Sequence, residues 1–235
     1  MKKIFLIISL CLATTGLFAQ NTEEPHKCNH NNGTCCQAYK ASRHHFTMTL
    51  GYGYLFGDTE NTDLFINYAN ESHQRRMHNG INFELDYDYN FHKNFAAGVI
   101  FSMYNSFDSY YPSSAATETY SDDKYLFYVG PSFLAHTDLI KDKWTVYGRA
   151  TVGFMNFRNA IRNVGAVTYK RGTLGYGIEA GCDYFVNKYF SVIGQVSYMG
   201  GSISKVKNGA DQEFELNETE DLSRLNVSVG VKIKL

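Results

Sequence analysis

The segment from Ile81 to Phe91 alternates strictly between apolar and polar side chains. It reads I-N-F-E-L-D-Y-D-Y-N-F, with Ile, Phe, Leu and Tyr on one parity and Asn, Glu and Asp on the other. Successive side chains of a β-strand point to opposite faces of a sheet, whereas a helix repeats after about 3.6 residues. The segment therefore predicts a strand that separates an apolar environment from a polar, charged one.

The same alternation recurs along the chain and predicts eight strands. They cover 45–56, 79–91, 94–104, 124–136, 143–155, 173–186, 189–199 and 221–235. The connections are short after the second, fourth and sixth strands and long after the first, third, fifth and seventh. The long connections are 57–78, 105–123, 156–172 and 200–220. Long and short connections on opposite sides predict an all-β, up-and-down antiparallel barrel.

The N-terminus has the layout of a secretory signal peptide. Lys2 and Lys3 precede a mostly apolar stretch that ends in Leu17-Phe18-Ala19, a cleavage site for export. The stretch is too short to span a membrane as a helix, and a retained anchor is the alternative. We expect a signal peptide over 1–19, a Cys/His-rich periplasmic segment over 20–44 and a barrel over 45–235.

Two kinds of eight-stranded barrel share this alternation. A soluble, lipocalin-like barrel points its apolar face inward, whereas a membrane barrel points it outward. Export, the segregation of loop lengths and the aromatic residues near strand ends favour the membrane barrel. A basic side chain facing lipid at mid-bilayer costs roughly 2–4 kcal/mol, so the charged parity is expected to line the interior. A formal net charge of −1 gives no reason to expect nucleic acid as a partner.

From His45 to Leu235 the chain resembles the small eight-stranded outer-membrane barrels of the OmpA/OmpX type. Its last strand, V-S-V-G-V-K-I-K-L, looks like the C-terminal assembly signal of such barrels, although Leu235 stands where an aromatic residue is usual. The resemblance implies a monomeric transmembrane barrel in the outer membrane of a Gram-negative bacterium. It also implies contacts with the barrel-insertion machinery, with outer-membrane lipid and with lipopolysaccharide.

The charged residues of the inward parity are the first candidate site. An eight-stranded barrel is just wide enough for side chains to fill, and buried charges persist only when they are paired. We expect Arg149 to centre a network across the lumen with Glu84, Asp86 or Glu179. Such a network could be a proton path, a switchable gate or a means of satisfying the core. The expected lumen charges are Glu84, Asp86, Asp88, Arg149, Glu179, Asp183, Arg224, Lys232 and Lys234.

The segment after the predicted cleavage site is rich in Cys and His. An oxidising compartment favours a disulfide, of Cys28 with Cys35 or Cys36, or else the segment is a disordered tail. Zinc or copper bound by these residues is the alternative, and no other cofactor is expected. The residues concerned are His26, Cys28, His30, Cys35 and Cys36.

The long loops are the expected working surface, because flexible loops on a rigid scaffold suit recognition. Loop 1 carries the basic residues Arg75 and Arg76, and loop 2 carries Tyr110 and Tyr111. These residues could contact lipopolysaccharide phosphates or an extracellular protein or glycan. We expect a plugged polar lumen and a role in surface interaction, adhesion or envelope integrity. The alternatives are a narrow channel or small-solute porin and a lipid-modifying enzyme, for which no residue is assigned because no serine and histidine share an orienting acid.

Overall fold

The computed structural model describes residues 43–57, 75–110, 120–140, 143–162, 166–210 and 212–235. They belong to the compact unit Ser42–Leu235. The predicted signal peptide and the Cys/His-rich segment as far as residue 42, with Cys28, Cys35 and Cys36, lie outside the described residues, whereas His44 of that segment already belongs to the first strand. In the part of the chain that the structure describes, no helix is long and apolar enough to cross a membrane.

The described chain forms strands joined into one antiparallel sheet. The strands are β1 (His44–Leu55), β2 (Asn79–His92), β3 (Phe95–Tyr110), β4 (Tyr120–Ile140), β5 (Trp144–Arg162), β6 (Ala166–Phe185), β7 (Phe190–Lys207), β8 (Glu213–Asp221) and β9 (Arg224–Lys234). The strand order is β6-β5-β4-β3-β2-β1-β9-β7-β8, and β6 also pairs with β7. Eight strands therefore close a ring, with β8 as an extension on β7, which confirms the predicted eight-stranded barrel.

The last transmembrane strand is interrupted where sequence alternation predicts continuity. β9 pairs with β7 as far as Met199↔Arg224, and β8 continues the ladder from Ser202↔Asp221. Between them the Asp221 carboxylate accepts a hydrogen bond from the backbone N–H of Ser223 at 2.9 Å. The Leu222 side chain is fully buried. The local Asp–Ser turn thus separates β8 from β9 and directs an apolar side chain inward, while the Leu222 N–H still donates to the Gly201 carbonyl of β7 at 2.8 Å.

The strands run further into the long connections than the alternation predicts. β3 continues to Tyr110, β5 to Arg162 and β7 to Lys207, and β6 begins at Ala166. Pairing carries these extensions, since β4 pairs with β3 out to Tyr110↔Tyr120 and with β5 out to Ser121↔Arg162. The predicted loops 105–123, 156–172 and 200–220 are therefore too long, because backbone hydrogen bonds continue where the amphipathic pattern stops. Tyr110 accordingly ends a strand and is not a loop residue.

Apolar side chains face outward and charged ones inward, as expected for the membrane barrel. On the outer face Leu174 is 77% exposed and Val229 is 67% exposed, whereas Glu84 on the inner parity is 0% exposed. The soluble lipocalin-like alternative requires the reverse arrangement and is excluded. The barrel interior is therefore the polar side of each strand.

The interior is not polar throughout, which corrects the expected polar lumen. Towards the end that carries the long connections, it is filled by a buried apolar cluster. The cluster comprises Leu55, Ile100, Tyr104, Leu126, Tyr128, Met155, Phe157, Met199, Ile203, Val206, Leu216 and Leu222. The sequence indicates this apolar layer in part, since stretches such as Tyr125-Leu126-Phe127-Tyr128 are apolar on both faces of the strand. The charged residues lie in the remaining part of the interior.

Candidate functional site: the charged barrel interior

Arg149 lies at the centre of the interior and bridges the barrel. It sits on β5 directly opposite Glu179 of β6, and its Nη1 lies 3.5 Å from Glu179 Oε2. Its guanidinium reaches across to β2, with Nη1 at 2.7 Å from Asp86 Oδ2 and Nη2 at 2.8 Å from Asp88 Oδ2. The planar fork of arginine suits such simultaneous contact with several carboxylates. The structure thus brings Arg149 together with Asp86 and Glu179, and adds Asp88 to the partners we expected.

Glu84 has a different partner from the one expected. Gln195 of β7 donates from Nε2 to Glu84 Oε1 at 2.5 Å, and Tyr147 of β5 donates its hydroxyl to Gln195 Oε1 at 2.8 Å. Both side chains are buried. A neutral relay therefore links β5, β7 and β2 beside the Arg149 cluster. Sequence parity placed Gln195 inside the barrel, but nothing local singled it out as the partner of a carboxylate.

Two lysines near the end of the barrel that carries the C-terminus differ in burial and in their partners. Lys232 forms a buried ion pair with Asp183, with Nζ at 2.6 Å from Oδ2, and lies over the Tyr147 ring at 4.7 Å. Lys234 is only half-buried and lies over the Phe185 ring at 3.4 Å. Lys232 thus neutralises Asp183 within the lumen, while Lys234 belongs to its rim.

Arg224 lies apart from the Arg149 cluster. It is 0% exposed, donates from Nη2 to Ser102 Oγ at 3.2 Å and lies 5.7 Å from the centroid of the Tyr104 ring. It stands at the boundary between the charged layer and the apolar cluster, to which Tyr104 belongs. A hydroxyl and an aromatic face contact this guanidinium, while its Nε and Nη1 have no hydrogen-bond partner among the described residues.

A further buried ion pair, absent from the expected lumen charges, lies at the loop side. Lys124 Nζ lies 3.1 Å from Glu220 Oε1, and both side chains are almost fully buried. Lys124 also lies over the Phe157 ring at 5.8 Å. Glu220 belongs to β8, which sequence analysis assigned to a loop, so the pairing depends on a strand that alternation does not predict.

Three carboxylates of the interior are close enough to hold a metal ion. One ligand oxygen from each of Glu84, Asp86 and Glu179 lies within 4.8 Å of the others. An oxygen-only set suits a hard cation such as Ca²⁺ or Mg²⁺. Arg149 already supplies positive charge to two of the three. Arg149 therefore compensates part of the negative charge that a cation at this cluster would otherwise meet.

His136 of β4, which shares the inward parity with Ser132, has an amide partner. His136 Nε2 lies 3.3 Å from Asn90 Oδ1, and Asn90 Nδ2 lies 3.1 Å from His45 Nε2. Ser132 shares the inward face of β4, but its hydroxyl has no hydrogen-bond partner among the described residues. This arrangement at the terminal-side mouth orients the imidazole of His136.

The loop-side residues are partly anchored. A helical turn covers 75–77, and Arg76 Nε donates to Asp108 Oδ1 at 2.7 Å. This hydrogen bond raises the pKa of the Arg76 guanidinium above its ordinary value. The backbone carbonyl of Arg75 accepts a hydrogen bond from Asn79 Nδ2 at 2.7 Å. The expected basic patch therefore includes one arginine already paired with an acid, while Tyr111 lies outside the described residues.

Comparison with known proteins points to one family. Residues 11–234 match the outer membrane protein beta-barrel domain family, whereas no curated protein matches the chain in sequence. Among solved structures, the outer membrane protein OprG from Pseudomonas aeruginosa is 13% identical, with coverage of 83% of this chain and 97% of that chain and a TM-score of 0.52. Neisserial surface protein A is 14% identical, with coverage of 83% and 99% and a TM-score of 0.47. Ail of Yersinia pestis, in complex with the heparin analogue sucrose octasulfate, is 16% identical, with coverage of 81% and 99% and a TM-score of 0.40.

Proposed function

Because the chain belongs to the outer membrane protein beta-barrel domain family and lies in the outer membrane, we propose that it is a non-conducting barrel that acts at the cell surface. In this proposal the strand ends and loops on the outer side of the barrel contact surface partners or support the integrity of the envelope. The observation that carries the proposal is the filled interior.

Two layers of side chains close the interior. The Arg149 cluster crosses the lumen from β5 to β2, and the apolar cluster fills the barrel towards the loop side. Tyr104, Leu126 and Phe157 in that cluster are at most 1% exposed. An apolar constriction excludes ions because a dry pore cannot hydrate them. A barrel closed in this way supports functions at its outer end better than solute passage.

Planar-bilayer recordings test the closed lumen. Wild-type protein is expected to give no unitary conductance steps. Replacing Tyr104 and Phe157 together by Ala removes the bulk of the apolar layer and is expected to produce measurable steps. The matched control is Phe154→Ala on the outer face of β5, which leaves the interior intact. Reproducible steps of one size from wild-type protein would instead support the narrow-channel alternative.

The outer ends of β7 and β8 offer a direct test of the surface role. Ile203 and Glu220 are paired across these strands, so residues 204–219 can be replaced by an Asn-Gly turn without touching the pairing of β7 with β9. Cells that carry this shortened protein are expected to lose adhesion to host-cell glycans or resistance to detergent, as cells without the protein do. Heat-modifiable gel mobility verifies that the shortened barrel folds. If cells with a folded, shortened barrel keep both phenotypes in full, this hairpin has no surface role.

A further inference from the structure

Each of three interior carboxylates keeps one oxygen without a hydrogen-bond partner. Asp86 contacts Arg149 through Oδ2 at 2.7 Å, and Glu179 contacts the same guanidinium through Oε2 at 3.5 Å. Glu84 accepts a hydrogen bond from Gln195 through Oε1. The other oxygens, Glu84 Oε2, Asp86 Oδ1 and Glu179 Oε1, are buried and have no hydrogen-bond partner among the described residues. Buried charge without a partner is costly, so these oxygens call for a cation or a proton.

The buried charges of this layer of the interior do not balance. Lys232 is paired with Asp183, and the buried acids of the loop side have basic partners of their own. The buried acids that remain are Glu84, Asp86, Asp88 and Glu179, and the buried bases that remain are Arg149 and Arg224. Four carboxylates thus face two guanidinium groups, which leaves two negative charges in excess among the described residues. One divalent cation carries the charge that balances them.

A hydroxyl from a further strand lies beside the three carboxylates. Thr47 of β1 stands directly opposite Asp86 in the β1–β2 register, and its side chain points inward and is 2% exposed. The Cβ atoms of residues in opposite positions are about 4.5–5.5 Å apart. The Thr47 hydroxyl oxygen has no hydrogen-bond partner among the described residues. It therefore adds a neutral, buried oxygen ligand to the three carboxylate oxygens.

The spacing of the oxygens fits a calcium ion. One oxygen from each of Glu84, Asp86 and Glu179 lies within 4.8 Å of the others. Ca²⁺ binds oxygen ligands at about 2.3–2.6 Å, so two of its ligands can be about 5 Å apart, whereas two ligands of Mg²⁺ must lie within about 4.2 Å. Ca²⁺ also tolerates irregular coordination geometry better than Mg²⁺ does. These carboxylates therefore fit Ca²⁺ without rearrangement.

Arg149 leaves room for the ion because it uses other oxygens. It contacts Oδ2 of Asp86 and Oε2 of Glu179, and each carboxylate oxygen has lone pairs of its own. We propose that Glu84, Asp86 and Glu179, together with Thr47, bind one Ca²⁺ ion in the barrel interior beside Arg149. The ion joins β1, β2 and β6 across the closed ring. This inference goes beyond the proposed surface role and does not depend on it.

Calcium retention by the full-length, detergent-folded protein tests the proposal. The protein is folded in nonionic detergent without lipopolysaccharide, with either Ca²⁺ or EDTA, then desalted and analysed for calcium. We expect about one Ca²⁺ per chain, because such sites form only on folding. The urea midpoint should be higher with Ca²⁺ than with EDTA, since a ligand of the folded state stabilises it.

Two variants remove ligands, and a third is the control. Thr47→Val keeps the charge and nearly the size of the side chain, and it should weaken Ca²⁺ binding at least about tenfold. Glu84→Gln combined with Glu179→Gln should abolish retention. The matched control, Glu213→Gln with Glu215→Gln, removes two acids from the hairpin of β7 and β8 and should retain calcium as wild type does. Heat-modifiable mobility verifies folding, and Thr47→Val decides the matter if the interior double variant does not fold.

Three results would overturn the proposal. The first is wild-type protein that retains no calcium and has the same urea midpoint in Ca²⁺ and in EDTA, which would assign the excess charge to bound protons. The second is calcium binding to folded Thr47→Val, or to the folded interior double variant, that equals binding to wild type. Such calcium would be bound elsewhere on the protein. The third is displacement of Ca²⁺ by an equal concentration of Mg²⁺, which would refute the assignment to calcium.

Discussion

Replacing Arg149 by Met removes the one basic group that contacts three interior carboxylates. The Arg149 side chain is 1% exposed, and those of Asp86, Asp88 and Glu179 are 1–2% exposed. Water cannot therefore replace the lost guanidinium without opening the barrel. Removing one partner of a buried ion pair costs about 3–5 kcal/mol, because a buried charge is left uncompensated. We expect the free energy of unfolding to fall by that amount at neutral pH.

The penalty is expected to disappear when the orphaned charges are removed as well. A variant that combines Arg149→Met with Asp86→Asn, Asp88→Asn and Glu179→Gln removes the charge of Arg149 and of all three carboxylates that it contacts. Replacing a whole buried ionic set by neutral groups is often neutral or stabilising. This variant should therefore regain most of the stability that Arg149→Met loses. Acid pH should also reduce the loss, since protonated carboxyl groups need no cation.

The assay is urea unfolding of the barrel in phospholipid vesicles that contain no lipopolysaccharide. Trp144, the single tryptophan of the chain, reports unfolding by fluorescence, and heat-modifiable gel mobility provides a second probe. Arg158→Met is the control, because it removes an exposed arginine from the same strand and should change stability by no more than about 0.5 kcal/mol. A loss below about 1 kcal/mol for Arg149→Met would refute the reasoning. Failure of the neutralised variant to recover would refute it equally.

Two further predictions concern barrel closure and pH. A Cβ at Gly51 would collide with the backbone carbonyl of Val227 across the β1–β9 seam, so Gly51→Ala should cost about 1–3 kcal/mol in the same urea assay. Gly194→Ala should be tolerated, because nothing lies within 4 Å of its Cβ position. The hydrogen bond from Lys205 lowers the pKa of Glu215 below its ordinary value of 4.5. The ion pair should therefore be complete at any pH above 4.5 and should be lost only as the pH falls through the lowered pKa. NMR titration of the Glu215 carboxyl, with Lys205→Gln returning the midpoint to its ordinary value, checks this sign, and an unchanged midpoint would contradict it.

The alternation of side chains predicts the barrel because it recurs in every strand. Ile81 to Phe91 alone indicates one amphipathic strand, and seven further segments with alternating connections leave few architectures. The charged parity then decides which face is inside, since charges facing lipid are costly. The same reasoning placed Arg149, Asp86 and Glu179 in one lumen, because all three lie on the inward parity near the middle of their strands.

Pairing between distant strands decided what alternation could not predict. Asp88 contacts Arg149, and Gln195 contacts Glu84, because β2 faces β5 and β7 across the closed ring. Sequence spacing carries no information on such contacts until closure sets the register.

The sequence by itself determined the eight strands of the closed ring, their inward and outward faces and their antiparallel order, because each depends on a local period of two that neighbouring segments repeat. Tertiary structure alone decided how far β3 to β7 extend, where β8 and β9 separate and which interior layer is apolar. Backbone hydrogen bonds extend a strand whatever its side chains are, and an interior position in a narrow barrel accepts any side chains that fill it. Those contacts are formed by residues far apart in the chain, so only the closed barrel defines them.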